Sequence, residues 1–400
     1  MHADSTWHGA CYLSYVSTKS DSTAQSVRDL PRVLGDVVGA RPGRTVILTG
    51  AIHGNEPAGA IAIQRVLDEL GTRPAKLKGR VVGLTGNRAA LARGTRFVSR
   101  DLNRRWYANE LAALATRSLE TLVDEDLEQR ELFDRIGAHE ARGPLAIVDL
   151  HTTSGESPPF VCFGDTLANR HVALALPMTA ILGLEEVIDG AMLGYYTDRG
   201  HVAISVEAGQ HDDPITIDRH VSTLWVTLDA LGAVSGTEIE GFEAHRERLE
   251  RAALGQPRVV EIRHRHRVHP SDDFAMTPGF TSFQRIERGD VVAKDRRGPV
   301  RAPLSGLMLM PRYQGQGEDG YFLVREVAPF WIAVSERMRA IGFERIVSRL
   351  PGVEREGGSL DRLAVDPNVA RSFVVEVMHL CGYRRGRDHD SKMAFTRRPR

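Results

Sequence analysis

At 400 residues the chain is long enough for more than one hydrophobic core, and two domains are expected. Its 42% hydrophobic and 26% charged residues are those of an ordinary globular protein. Its 52 basic residues balance 52 acidic ones, which argues against a polyanion-binding field and against nucleic acid as a principal partner. Cys11, Cys162 and Cys381 are too few and too scattered for a disulfide framework or a cysteine metal cluster. Met1-His2-Ala3-Asp4-Ser5 lacks the basic-then-apolar pattern of a signal peptide, and no run reaches the ~20 apolar residues of a membrane span. A cytoplasmic chain with no membrane partner is expected.

From Arg44 to about Trp225 the pattern alternates strand and helix. Thr45–Gly50 reads as a buried strand and Ala58–Leu70 as a helix, with Pro57 in its first turn and Gly71 at its end. Arg80–Thr85 is a second strand, and Tyr107 to about Ile136 a long charged helix. Leu145–Leu150 and Phe160–Phe163 are strands, Leu167–Leu176 a helix, His201–Val206 a strand and Asp218–Leu231 a helix. Residues 1–235 are expected to form an α/β domain. Small and charged residues from Ala233 to Gln256 read as a linking region. Residues 257–328, with glycines between short apolar runs, predict a smaller β-domain, an antiparallel sheet or barrel. Residues 329–400 form a further extension with helical segments near Trp331–Ile346 and Val369–Leu380 and a basic end through Arg384, Arg387 and Arg400.

The chemistry begins at His53-Gly54-Asn55-Glu56, where a strand stops and a helix starts. An imidazole and a carboxylate at that spacing are ligand types of a hydrolytic zinc ion, which needs one more protein ligand if a position stays open for water. His151, at the end of Ala146–Leu150, is the third candidate. In open α/β sheets sites form beyond the carboxyl ends of strands, and Glu207 closes another strand at that level. A lone histidine or glutamate at a strand end is more often a surface group; four together are harder to dismiss. Asp149, on the same strand face as His151, suits an outer acceptor that orients the imidazole. Arg96, Asn103 and Arg104 supply the substrate side: arginine forks a carboxylate or steadies an oxyanion, and asparagine adds amide donors. Arg263-His264-Arg265-His266-Arg267-Val268-His269 offers metal or phosphate ligands on paper, but charges on an exposed strand edge are the plainer reading.

His53–Pro57, Arg96 with Asp101-Leu102-Asn103-Arg104, Asp149–Thr152 and Val206–Gly209 occur in the order and approximate spacing of a known family. Together they resemble the succinylglutamate desuccinylase/aspartoacylase family, a branch of the zinc carboxypeptidase-like fold, over about residues 30 to 327. The resemblance implies a mixed sheet flanked by helices and one Zn2+ per chain held by His53, Glu56 and His151. It implies Glu207 as general base and proton shuttle, Arg96 on the scissile carbonyl, and Asn103 and Arg104 on a substrate carboxylate. Tyr195 and Arg199 look like that family's Tyr/Arg pair for an acidic acyl group, offset by about two residues from the family pattern. Arg88 stands where many members have proline, which implies a change in a loop.

The expected activity is a zinc-dependent amidohydrolase that frees an acyl group from an N-acyl amino acid or similar small carboxylate, using water activated by Glu207. A carboxypeptidase trimming peptide C-termini is the nearest alternative, and a non-catalytic zinc-binding scaffold working through 329–400 is another. A homo-oligomer is left open.

Overall fold

Alternating side chains on the first buried strands decide which helices cover which face of the sheet. Val46 and Leu48 belong to one core with Ile63 and Val66 of α1 (Ala58–Thr72) and with Leu224, Trp225 and Leu228. Ile47, between them, joins a second core with Leu132, Ile136, Met192 and Tyr196. Side chains at period two point to opposite faces, so one strand feeds both layers. Each buried Val, Leu or Ile contributes roughly 1.5–3 kcal/mol by leaving water. The structure is a computed structural model that describes residues 27–366, 369, 374–386 and 392–399. The features read at Met1–Ser5, Cys11, Arg387 and Arg400, and residues 370–373 of the last expected helix, lie outside the described residues.

The sheet is built from β1 (Val33–Val38), β2 (Arg41–Gly50), β3 (Lys78–Thr85), β4 (Leu145–Thr153), β5 (Phe160–Phe163), β6 (Thr179–Leu182), β7 (Val202–Gln210) and β8 (Val259–Arg267). Their order is β1-β3-β2-β4-β7-β5-β6-β8, with β3, β2, β4 and β7 parallel, β1 antiparallel to β3, and β5 antiparallel to β7 but parallel to β6. Every residue of β4 is buried, as expected for a strand covered on both faces. This is the mixed, helix-flanked α/β sheet that the sequence implies. After α2 (Arg88–Arg93) the expected long helix is two: α3 (Ala108–Ala115) and α4 (Asp124–Glu140). Between them Thr116 and Thr121 return their hydroxyls to the carbonyls of Ala113 and Ser118, both at 2.8 Å, which competes with the helical ladder. Asp124, Glu125 and Asp126 then favour a new helix start. Further on lie α5 (Leu167–Ala175), α6 (Leu184–Val187), α7 (Met192–Asp198) and α8 (Ile215–Ala230).

Four readings of the carboxy-terminal half need correction. The expected linking region contains α9 (Phe242–Ala252), whose sparse apolar positions, Phe242 and Leu249, pack on the main core. The 257–328 stretch does not form a sheet apart: β8 pairs in parallel with β6, and strands Asp319–Glu326, Gly306–Leu309 and Arg285–Ile286 continue the same eleven-stranded sheet. Only Ala275–Met276, Val291–Asp295 and Gly298–Arg301 make a separate three-stranded sheet. An unpaired β6 edge would leave backbone groups open, and β8 covers it. The extension carries α10 (Pro329–Ala340), α11 (Glu344–Val347) and α12 (Val374–Leu380), but also a four-stranded antiparallel sheet around Leu363, Tyr383 and Phe395. The histidine-rich run is not simply an exposed edge: the Arg265 side chain is 6% exposed, and His266 stacks on Tyr321 at 5.0 Å.

Candidate metal centre and active site

β2, β4 and β7 are adjacent and in register, Gly50 opposite Leu150 and His151 opposite Glu207, so the loops that follow them emerge side by side. The turn after β2 is tight. A Cβ on Gly54 would stand 2.1 Å from the Ala90 carbonyl carbon, so only glycine fits between His53 and Asn55. Glu56 enters just before α1 and is 95 residues from His151 in the chain.

His53 Nδ1 and His151 Nδ1 each stand 2.9 Å from Glu56, one on Oε1 and the other on Oε2. One ligand atom from each of the three residues lies within 4.8 Å of the others, and all three residues are buried. The outer nitrogens are engaged: His151 Nε2 by Asp149 Oδ2 at 2.7 Å and His53 Nε2 by Asp101 Oδ1 at 3.2 Å. Asp149 is held in turn by the Thr49 hydroxyl at 2.7 Å. Carboxylates on the outer nitrogens fix both rings with Nδ1 inward, as in metal-binding histidines. Burial pushes the Glu56 carboxyl up, but His53 and His151 outweigh it and hold it well below the usual range. Burial disfavours a charged His151, yet Asp149 and Glu56 raise it well above the ordinary histidine value. These nitrogen and carboxylate donors fit a divalent ion, and zinc suits two histidines and one glutamate.

Glu207 lies beside this set with one carboxylate oxygen, Oε2, buried and without a hydrogen-bond partner among the described residues. Burial drives its pKa up to about 7, with His151 and His53 pulling down and Glu56 pushing up. A buried acceptor without a donor is expected where a metal, water or substrate completes the site. Arg96 donates to Asp101 Oδ2 from Nε at 3.2 Å and Nη2 at 3.0 Å, and Nη1 approaches Glu56 Oε1 at 3.5 Å. Asn103 and Arg104 lie in a short 3-10 turn capped by Asp101, which accepts from the Asn103 N–H at 2.9 Å. Arg96, Asn103, Arg104 and Glu207 line one cleft with the metal set.

The family model for the succinylglutamate desuccinylase/aspartoacylase catalytic domain matches residues 42–233. Residues 42–233 belong to that family. Succinylglutamate desuccinylase of Pseudomonas paraeruginosa is 26% identical over 275 residues, 65% of this chain and 77% of that protein. A protein of Prochlorococcus marinus named probable aspartoacylase is 29% identical over 247 residues, 57% of this chain and 75% of its own. The fold matches the succinylglutamate desuccinylase/aspartoacylase structure from Rhodobacter sphaeroides with a TM-score of 0.52 and 19% identity, over 73% of this chain and 88% of that one. A protein of Xenopus laevis named N-acyl-aromatic-L-amino acid amidohydrolase (carboxylate-forming) is 26% identical over 280 residues, 63% of this chain and 86% of that protein, and residues 42–233 carry an enzyme domain of this deacylase family.

Within this desuccinylase/aspartoacylase domain not every expected residue meets the cleft. Tyr195 and Arg199 sit on and just after α7 but outside the cleft lining. Tyr195 packs on Trp106 and Phe133, while Arg199, nearly half exposed, donates from Nε to Glu140 Oε1 at 2.7 Å. The register of α7 turns them to the opposite side. Arg88 opens α2, its N–H donating to Glu128 at 3.1 Å, so the departure lies in a helix start rather than a loop. Proline's fixed φ would suit a first helical position, at the loss of the N–H that Arg88 gives to Glu128.

Several cleft residues escaped sequence reasoning. Asp101 was legible only as part of a motif, not as the partner of His53. The Met310–Asp319 segment closes the cleft: Gln314 accepts from Asn55 Nδ2 at 2.9 Å, and Gln316 accepts from the Arg96 N–H at 3.0 Å. Asp319 joins Arg104 Nη2 at 2.8 Å to Arg265 Nε at 2.6 Å. A polar, glycine-rich run, Gln314-Gly-Gln-Gly-Glu-Asp319, between two apolar strands was the available signal.

Proposed function

We propose that this chain is a zinc-dependent amidohydrolase that removes an acyl group from an N-acyl amino acid or a similar small carboxylate. The observation that carries the reading is the convergence of His53 Nδ1, Glu56 and His151 Nδ1 beside a buried Glu207 with an unpartnered oxygen. The names of the similar proteins from Pseudomonas and Prochlorococcus support the substrate class. Zinc held by the three residues would lower the pKa of water towards ~7 and polarise the scissile carbonyl.

The rest is the work of the protein. Glu207 takes a proton from the attacking water, and the Arg96 guanidinium meets the charge that develops on the carbonyl oxygen. Glu207 then returns the proton to the nitrogen, and the C–N bond breaks as the carbonyl re-forms on the carbon that already holds the water oxygen. The second water proton passes from the new carboxyl to the amine, so a carboxylate and an ammonium result. Asn103 and Arg104 hold the substrate carboxylate; Arg104 Nε is buried and still unpartnered among the described residues, which leaves a donor for it. Fixing that end keeps water and carbonyl aligned. The Met310–Asp319 segment narrows the cleft, which favours small substrates over peptide chains. Metal analysis of the purified chain, coupled to hydrolysis of a panel of N-acyl amino acids beside short peptides, tests the reading. Zinc-bound protein inactive on the whole panel would overturn it.

A further inference from the structure

One acidic side chain of the cleft has no part in the hydrolysis. Glu185 of α6 forms part of the wall with Leu184, Ile188 and Cys162. Its side chain is 6% exposed. Oε1 accepts from Arg398 Nε at 3.1 Å and Nη2 at 2.8 Å, and from the Asp165 N–H at 3.3 Å. Oε2 is buried and has no hydrogen-bond partner among the described residues. Cys162, on the same cleft wall, lies close enough to feel that charge: its thiol is pushed well up, first by burial and then by the carboxylates of Glu207 and Glu185. A desolvated carboxylate oxygen with no donor is unfavourable, so a ligand that supplies one gains affinity.

The balance of charge in the cleft points the same way. Its lining holds six carboxylates and three arginines. Arg104 is already joined to Asp319 at 2.8 Å and Arg96 to Asp101 at 3.0 Å. A divalent ion offsets two of the six carboxylates and still leaves no surplus of positive charge. A pocket for a substrate with a carboxylate at each end would need that surplus.

We propose that Glu185 is a specificity-determining residue that selects a substrate bearing a primary ammonium group. On the deacylase reading above, the substrate carboxylate goes to Asn103 and Arg104, and the ammonium donates to Glu185 Oε2. The extension positions this carboxylate. Arg398 reaches from beyond the last strand to Glu185, and also binds Glu186 Oε1 at 2.5 Å and the Tyr383 carbonyl at 2.5 Å. At the other end of α6, Arg265 ties the Val187 carbonyl to Asp319 and through it to Arg104. Both ends of the recognition site are therefore braced against one another.

The test uses the full-length, zinc-loaded chain and sets of N-acyl amino acids of equal length. Within each set, the side chain or the acyl group finishes in an ammonium, a methyl or a carboxylate. The ammonium member of at least one set should exceed its methyl and carboxylate partners in kcat/KM by roughly tenfold or more, the scale of a charge-assisted hydrogen bond. Glu185→Gln should abolish that preference, whereas a purely structural role would lower all members together. Calorimetric titration of the unaltered protein with a free diamino acid and its methyl-ended analogue gives a readout independent of the variant and of turnover. No ammonium preference in either assay, or a preference that survives Glu185→Gln, would overturn the proposal. If no N-acyl amino acid is hydrolysed at all, the deacylase reading falls, and the calorimetric comparison repeated on Glu185→Gln still decides the role of Glu185.

Discussion

Glu56 and Glu207 are the same side chain driven apart by their surroundings. Glu56 shares its two oxygens between two imidazoles and stays ionised well below the usual range; Glu207, buried with an oxygen unpartnered, rises to about 7. The first suits a metal ligand and the second a proton shuttle. Glu207→Gln should keep zinc and lose at least ~100-fold in turnover, the scale of general acid–base catalysis. Near-normal activity in that variant would remove Glu207 from the mechanism. Because the base must be ionised to accept a proton, kcat/KM should fall on the acid side as Glu207 protonates, below the metal-free value of about 7 because a divalent ion beside it favours the carboxylate. A profile that stays flat through the acid range would contradict that assignment. Tyr195 and Arg199 give the converse case. Their contacts are with Trp106, Phe133 and Glu140, so Arg199→Ala should leave kcat and KM for the best substrate unchanged. A raised KM would return Arg199 to the substrate.

At the scale of elements, the carboxyl ends of β2, β4 and β7 do the assembling. Ala51 sits at φ 59° and Gly54 lies against the Ala90 backbone, so the loop that carries His53 has little freedom. Gly54→Ala should therefore displace His53. A purified variant with its full complement of zinc and an unchanged melting temperature would show that the backbone gives way instead. Much of this level was legible beforehand. The apolar runs of β2, β4 and β7 are short, β-rich and bounded by turn residues, and their ends carry His53, His151 and Glu207. The breaks were not legible. Nothing in the composition of 107–136 announces two helices, because hydroxyl-to-carbonyl bonds at Thr116 and Thr121 compete locally with a pattern that remains helical in period. The helix Phe242–Ala252 was missed because Phe242 and Leu249 give too few apolar positions to show a stripe.

Across the whole molecule, residues 329–400 are tied to the catalytic sheet through buried charge. Asp165 meets Arg170, Arg339 and Arg398; burial alone would raise its carboxyl, but the three guanidiniums hold it far below the usual range. Asp165→Asn leaves those cations short of a partner and should destabilise the full chain by about 3–5 kcal/mol, the range for breaking a buried pair. Urea unfolding measures it, and a change within the noise would mean that solvent reaches the cluster. His379 bridges Glu186 at 3.1 Å and Glu261 at 3.3 Å across the same junction. Burial lowers its pKa, but the two carboxylates prevail and raise it from 6.5 to about 9. A raised folded value means that its contribution is complete below 6.5 and is lost as pH climbs through about 9. Hydrogen exchange in α12 should therefore quicken over that window, and His379→Gln should flatten the response.

What the sequence determined by itself is the set of residues whose roles follow from local pattern: strand ends, the His53–Glu56 spacing, and the Arg96–Arg104 segment. Strand periodicity and ligand chemistry are local properties, and they survive without coordinates. Tertiary structure decided what depends on pairing between distant segments. It joined β8 to β6, closed the cleft with Met310–Asp319, gave Asp101 to His53, and turned Tyr195 and Arg199 away. It also brought Arg398 to Glu185, 213 residues apart, because a buried charge must find its partner wherever the fold supplies one.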